Sequence, residues 1–216
     1  MHIKNNINKI NNSLIGSRAK LIAVSKTKPV AAILEAYEAG QRAFGENYVQ
    51  EFVQKQSELP QDIQWHFIGH LQSNKAKLIV PFVHLIHAVD SAKLLNTIDI
   101  AAKKHDKVVQ CLLQVHIAQE ETKFGFSAEE LTDYLKTDGF SDLKNVKILG
   151  LMGMATNTSD LVQVEKEFVY LKSIYDLHQA AHGFTELSMG MSADYLVGAA
   201  CGATLVRIGS SVFGAR

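Results

Sequence analysis

Lys26 stands within a run, LIAVSKTKPV (21–30), that opens on four apolar residues and then turns abruptly polar. Side chains alternate along a strand, so Ile22, Val24 and Lys26 share a face. If that face points inward, the lysine sits over an apolar floor. Desolvation there disfavours the ammonium, and a neutral amine is the form that condenses with a carbonyl to a Schiff base. A lysine that merely leaves the core and meets water is the plain alternative. A second group lies far along the chain: Ser188, then Gly190-Met191-Ser192, then Gly209-Ser210. Glycines allow close backbone approach and a helix start offers free N–H groups, a combination that suits a phosphate. Alternatively Ser192 only caps the helix SADYLVGAA, with Asp194 in its first turn. Third is Arg207, inside the otherwise apolar LVRIG. A guanidinium there needs an acceptor, either a ligand atom or the carboxylate of a structural ion pair.

These residues are scattered over 180 positions, so a fold must gather them. Strand-like runs occur at KLIAVSK (20–26), RAFGE (42–46), QWHFIG (64–69) and HLIHAVD (84–90), and again at VVQCLLQVHIA (108–118), VKILGLMGMA (146–155), FTELSMG (184–190) and LVRIGSS (205–211). Helical patterns lie between them, among them PVAAILEAYEAG, SAKLLNTIDIAAKKH, SAEELTDYLKTDG and DLVQVEKEFVYLKSIYDLHQAAHG. Pro29 opens one and Gly40 closes it, Ser127 with Glu130 forms a capping box, and Gly183 follows the longest. Strand–helix alternation without a Pro/Gly/Ser-rich linker predicts a parallel sheet, and eight strands close a (β/α)8 TIM barrel. An open doubly wound sheet is the rival. Ile3, Ile7, Ile10 and Leu14 form one apolar helix stripe, which predicts a leading helix packed on the barrel; a helix that docks a partner is the alternative. Residues 1–216 read as one domain. In a barrel the chemistry collects at the C-terminal ends of the strands, where Lys26, Glu46-Asn47-Tyr48, Gly69-His70, Met154-Ala155-Thr156, Ser188–Ser192 and Gly209-Ser210 all fall.

Composition narrows the function. Of 216 residues, 22 are Lys or Arg and 22 are Asp or Glu, so no basic excess favours nucleic acid. The two cysteines, Cys111 and Cys201, have no paired spacing, which predicts a reducing, cytoplasmic setting. The leading MHIKNNINKINNSLIG has no unbroken apolar stretch of the signal-peptide kind, and no window reaches the roughly 18 apolar residues of a membrane span. His66 and His70 lack the cysteines or carboxylates that would complete a zinc site. His84 and His87 read as strand positions without chemistry, Met152, Met154, Met189 and Met191 as barrel packing, and KFGFS (123–127) as a turn. There is no Walker A sequence and no GxGxxG.

A lysine amine, a phosphate cradle and an arginine together suit pyridoxal 5′-phosphate, which offers an aldehyde, a phosphate and a ring nitrogen. The ordered segments AVSKTKP (23–29), FGENYVQE (44–51), WHFIGHLQSNK (65–75), GLMGMAT (150–156), LSMGMSADY (187–195) and VRIGSSVFGAR (206–216) resemble the pyridoxal phosphate homeostasis protein family, which has the alanine-racemase N-terminal barrel. The resemblance runs from about residue 20 to the end. It implies that Lys26 is the Schiff-base lysine, that Asn47 lies beside the cofactor ring, and that Ser188, Gly209 and Ser210 hold the phosphate with the backbone around Met191 and Ser192. It implies that Arg207 faces the pyridine nitrogen and places His66 near the ring at best. The chain departs from the family after GLM, where GMATNT stands in place of a proline-bearing loop.

An arginine at the ring nitrogen disfavours protonation there and weakens the ring as an electron sink, which argues against transamination. Alanine racemases carry a second, β-rich domain that helps supply a second base. The sequence stops at Arg216, soon after the eighth strand, and no residue stands out as a substitute base, with Lys75 and Tyr48 left open. The expected role is therefore a monomeric carrier that buffers the cofactor and delivers it to apo-enzymes, without robust catalysis. A pyridoxal-phosphate-dependent amino-acid racemase is the alternative, and a Schiff-base lyase acting on a phosphorylated sugar is the third reading; the lyase leaves Arg207 unexplained.

Overall fold

The computed structural model describes residues 2–120 and 124–214, apart from the Asp138 side chain; Met1, Glu121–Lys123, Ala215 and Arg216 lie outside that description. Eight parallel strands close on themselves: β1 (Lys20–Val24), β2 (Ala43–Glu46), β3 (Gln64–Phe67), β4 (Leu85–Val89), β5 (Val109–Val115), β6 (Val146–Gly153), β7 (Glu186–Met191) and β8 (Leu205–Ile208). The register Lys20–Leu205 to Ala23–Ile208 joins the last strand to the first, so the sheet is a barrel and not an open layer. The helices are α1 (His2–Ser13), α2 (Val30–Glu38), α3 (Val49–Glu58), α4 (Ala76–Ile79) and α5 (Ala92–Lys103), then α6 (Ala128–Leu135), α7 (Asp138–Ser141), α8 (Leu161–His182), α9 (Tyr195–Ala200) and α10 (Ser210–Phe213).

Local chemistry accounts for the boundaries. Ser127 and Glu130 make a reciprocal capping box at α6, Ser91 caps α5 through Leu94 N, and Asp160 caps α8 through Val162 and Gln163 N. Gly183 ends α8 in the left-handed conformation, at φ 65°. Strands are shorter than the runs that announced them: β1 ends at Val24, so Lys26 stands two residues beyond it. Within KFGFS, Lys123 lies outside the described residues, and Phe126 forms a bridge with Val115 instead of a bare turn. Gly150 sits where β5 and β6 slip in register, at φ 152°, and a Cβ there would overlap the Glu186 carbonyl oxygen of β7. Only glycine lets β6 pass that point without opening the β6–β7 ladder.

Alternation divides the core in two. Leu21 and Ala23 pack outward under the helices, whereas Ile22 joins Leu85, Ala88, Leu112, Met152 and Leu205 in the barrel interior. Helix α1 buries Ile3, Ile7 and Ile10, with Leu14 following, and does dock on the domain. It meets α2 and α10; Asn6 Nδ2 donates to Val212 O of α10 at 2.9 Å, and Ser13 Oγ lies 3.1 Å from the Tyr195 hydroxyl of α9. The leading helix thus braces the two elements that follow β7 and β8. Ile7 is fully enclosed, so Ile7→Ala is expected to cost about 2–5 kcal/mol. Thermal denaturation should show Tm lowered by about 5–15 °C; a fall under about 2 °C would mean the stripe is not part of the core.

Candidate functional site

A pocket of about 410 Å³ opens at the C-terminal ends of the strands, a size suited to a small organic cofactor. Val24, Lys26, Thr27 and Lys28 form one wall, after β1; Asn47 and Ile68 stand after β2 and β3. Met154 follows β6. Across the mouth are Met191, Ser192 and Ala193 after β7, then Arg207 on β8 with Gly209 and Ser210 beyond it. Five of the six expected residues therefore share one cavity: Lys26, Asn47, Arg207, Gly209 and Ser210.

Ser188, the sixth, lies elsewhere. It is fully buried beneath the pocket, where its hydroxyl accepts from Arg207 Nη1 at 2.6 Å and lies 2.8 Å from His87 Nδ1. It does not line the cavity. Ser192 takes the expected position instead, and its hydroxyl accepts from Gly209 N at 3.2 Å, tying the loop after β7 to the loop after β8. Ser192 is no helix cap: α9 begins at Tyr195 behind Asp194, whose carboxylate accepts from Met191 N. Met154 and Met191, expected as packing, are pocket wall. His66 and His70 part company. His66 is buried in the barrel with its Nδ1 2.8 Å from His87 Nε2, whereas His70 pairs with Asp90 at 2.9 Å on the rim, stacked on Phe124. His87 is consequently part of a polar chain. Tyr48 and Lys75 are not on the pocket wall.

Arg207 is the electrostatic centre of the site. Burial pulls its pKa down to about 10, against Asp194, which acts in the opposite direction, so it remains a cation at neutral pH. Gly153 O accepts from its Nη2 at 3.1 Å. No carboxylate among the described residues comes within ion-pair distance of it, so there is no direct ion pair there: Asp194 acts on the buried cation only from farther off, and the guanidinium's contacts are Ser188 Oγ and Gly153 O. Asn47 Oδ1 is buried with no hydrogen-bond partner. Gly69 packs so closely on the Asn47 backbone that a Cβ would overlap its carbonyl oxygen, which fixes that wall. An orphaned amide oxygen, a guanidinium with no carboxylate in contact, a lysine and a serine–glycine loop fit a ligand that carries a donor, an acceptor, a carbonyl and a phosphate.

The loop that presents Lys26 is held from behind, and no sequence pattern singled out its support. Lys55 Nζ of α3 donates to Glu46 Oε1 at 2.9 Å, to Glu51 Oε2 at 2.8 Å and to Ser25 O at 2.9 Å. Ser25 Oγ donates to Glu46 at 2.6 Å, and Thr27 N donates to Glu51 at 2.7 Å while Thr27 adopts φ 62°. Both neighbours of Lys26 are thus pinned. Burial pushes the Glu46 carboxyl above its ordinary range, against the pull of Lys55 and Ser25. Four residues of this group lie in AVSKTKP and FGENYVQE, but Lys55 reads in sequence as an ordinary polar helix position.

Comparison with known proteins gives the family and agrees with the fold. The family model for the alanine racemase N-terminal domain matches residues 1–216. A pyridoxal phosphate homeostasis protein of Pasteurella multocida is 40% identical over 208 residues, 93% of this chain and 88% of that one. The solved structure of PipY from Synechococcus elongatus with PLP bound superposes with a TM-score of 0.89 at 37% identity, covering 98% of this chain and 100% of that one. Alanine racemase of Clostridium difficile, at 14% identity and a TM-score of 0.77 over 100% of this chain and 57% of that one, shares the fold. With a closed barrel and relatives at this identity over nearly its whole length, the chain belongs to the pyridoxal phosphate homeostasis protein family.

Proposed function

We propose that this chain binds pyridoxal 5′-phosphate and holds it reversibly through Lys26, as a single-domain, monomeric carrier that buffers the cofactor inside the cell and delivers it to apo-enzymes. One observation carries the reading: a lysine and a buried guanidinium without a carboxylate share a pocket with the Ser192–Gly209–Ser210 loop. The similarity to a PLP-bound relative over 98% of the chain supports it. When bound, the group supplies an aldehyde that condenses with the Lys26 amine, forming a C=N bond and releasing water, and a ring that accepts electron density.

The chain's own residues divide the remaining work. Ser192, Ser210 and the Gly209 backbone hold the phosphate. Asn47 offers its unpartnered amide oxygen beside the ring. Arg207 donates to the ring nitrogen and, being cationic, keeps a proton off it. Ser188 supports Arg207 from below. Tyr48 and Lys75, the two substitutes for a second base, lie away from the pocket wall, which supports retention over turnover of amino acids. Among the described residues no helix is long and apolar enough to cross a membrane.

Borohydride reduction after loading with pyridoxal 5′-phosphate, followed by peptide mass mapping, tests the assignment. The adduct is expected on Lys26, to survive in Lys28→Ala and to vanish in Lys26→Ala. No adduct with excess cofactor would overturn the reading and return the site to a phosphosugar lyase. Delivery is tested by transfer to an apo-enzyme; a cofactor that never leaves would overturn that part.

A further inference from the structure

Arg207, Ser188, His87 and His66 form a continuous chain across the barrel interior, from β8 through β7 and β4 to β3, with successive separations of 2.6, 2.8 and 2.8 Å. Ser188 and His87 are fully buried, and Arg207 and His66 nearly so. Its direction follows from one fact: a guanidinium only donates. Arg207 Nη1 must give its hydrogen to Ser188 Oγ. The serine's own hydrogen then has one acceptor among the described residues, His87 Nδ1. A buried hydroxyl left without an acceptor would cost about 1–3 kcal/mol, so the bond forms. With Nδ1 accepting, neutral His87 carries its proton on Nε2 and donates to His66 Nδ1, and neutral His66 carries its own on Nε2. Burial pushes the His87 pKa well below its ordinary value, and burial with the nearby His84 brings that of His66 to about 3, so both rings are uncharged.

We propose that His87, backed by His66, is a positioning residue for Arg207: through Ser188 it fixes the aim of the guanidinium into the pocket and does so without adding a counter-charge. A carboxylate in its place would anchor the arginine equally well but would neutralise it. A hydroxyl polarised by imidazole anchors it and leaves the cation whole. The consequence for the ligand rests on the cofactor reading of the pocket; the hydrogen-bond chain does not.

Two readouts separate these. In protein without added cofactor, ¹⁵N imidazole spectra are expected to show Nδ1 bare and Nε2 protonated on both His66 and His87, with a sharp Arg207 guanidinium resonance. His87→Leu and Ser188→Ala should broaden that resonance. A protonated Nδ1 on His87, or an unaltered Arg207 signal in both variants, would overturn the proposal whether or not the cofactor binds. With pyridoxal 5′-phosphate bound, His87→Leu and Ser188→Ala should each raise the midpoint of the chromophore's pH titration by about one unit, since a less well aimed cation disfavours protonation less. The double variant should move no further, because both act through one contact. His87→Asn, whose amide oxygen can accept from Ser188, should restore the wild-type midpoint. Additive shifts, or a normal titration in folded His87→Leu, would sink it. A wild-type protein that gives no chromophore would instead refute the cofactor reading and leave the first readout standing.

Discussion

Lys55→Met is expected to lower the stability of the protein by about 3–5 kcal/mol, read as a fall in Tm of about 6–20 °C. Lys55 Nζ is the only cation in contact with Glu46 among the described residues, and Glu46 is fully buried with its Oε2 already unpartnered. Removing the ammonium leaves a buried carboxylate with one serine hydroxyl and the neighbouring Glu51, whose negative charge disfavours its ionised form. The pH dependence gives the cause away. Burial raises the Glu46 pKa in the folded state, and losing Lys55 raises it further. A carboxyl whose folded pKa lies above its unfolded value binds its proton more tightly when folded, so the penalty is full at high pH and fades as pH falls through the folded pKa. The Tm gap between variant and wild type should therefore be widest near pH 8 and narrow toward pH 5. A constant gap would mean that lost methylene packing and not charge is responsible. The same variant releases Ser25 O and frees Glu51, whose other bond holds Thr27 N. Loading of Lys26 with cofactor should fall with it, even at temperatures where the fold is intact.

How much of this was legible in sequence differs between the two layers of the barrel. The strands and the larger helices announced themselves through short β-rich runs, caps and the Gly183 terminus, because those signals are local. The closure of β1 on β8 rests on the count of eight. The rim positions could be read for the same reason: Lys26, Asn47, Gly209 and Ser210 each follow a strand, and Arg207 stands one residue before the end of β8. Ser188 lies one layer below the pocket wall. Strict alternation puts Ser188, Gly190 and Ser192 on one face, but Gly190 adopts φ 94° and the β7–β8 register slips between Ser188 and Met191. The slip lets Ser192 reach the cavity and leaves Ser188 beneath it. His87 carries no local mark at all. Its partners come from positions 21 residues before it and 101 after it, a relation only the closed barrel creates. Lys55 was invisible for a similar reason: it is buried under a loop that belongs to another strand.

Arg207→Glu is expected to change the absorbance of bound pyridoxal 5′-phosphate and to raise α-proton exchange of single-enantiomer amino acids in deuterated water by at least about tenfold, about 1.4 kcal/mol of barrier. The guanidinium disfavours a proton on the ring nitrogen, and a carboxylate favours one, which strengthens the ring as an electron sink. The substitution also reverses the polarity of everything behind it. A carboxylate accepts, so the Ser188 hydroxyl must turn to donate to it. His87 Nδ1 then has to become the donor to Ser188, and His87 Nε2 the acceptor from His66 Nδ1. Both imidazoles should therefore switch tautomer, visible as exchanged ¹⁵N signatures in a variant whose circular dichroism matches wild type. The Gly153 carbonyl, which accepts from Arg207 at 3.1 Å, would face an anion, so the carboxyl should hold its proton above the ordinary range and the exchange rate should climb with pH as it ionises. An unchanged spectrum would place Arg207 away from the ring. A changed spectrum with unchanged tautomers would keep Arg207 at the ring and detach it from the histidines. On the proposed reading, a cation at position 207, an acceptor hydroxyl at 188 and two neutral imidazoles behind it would together hold the ring unprotonated, as a carrier that keeps its ligand intact requires.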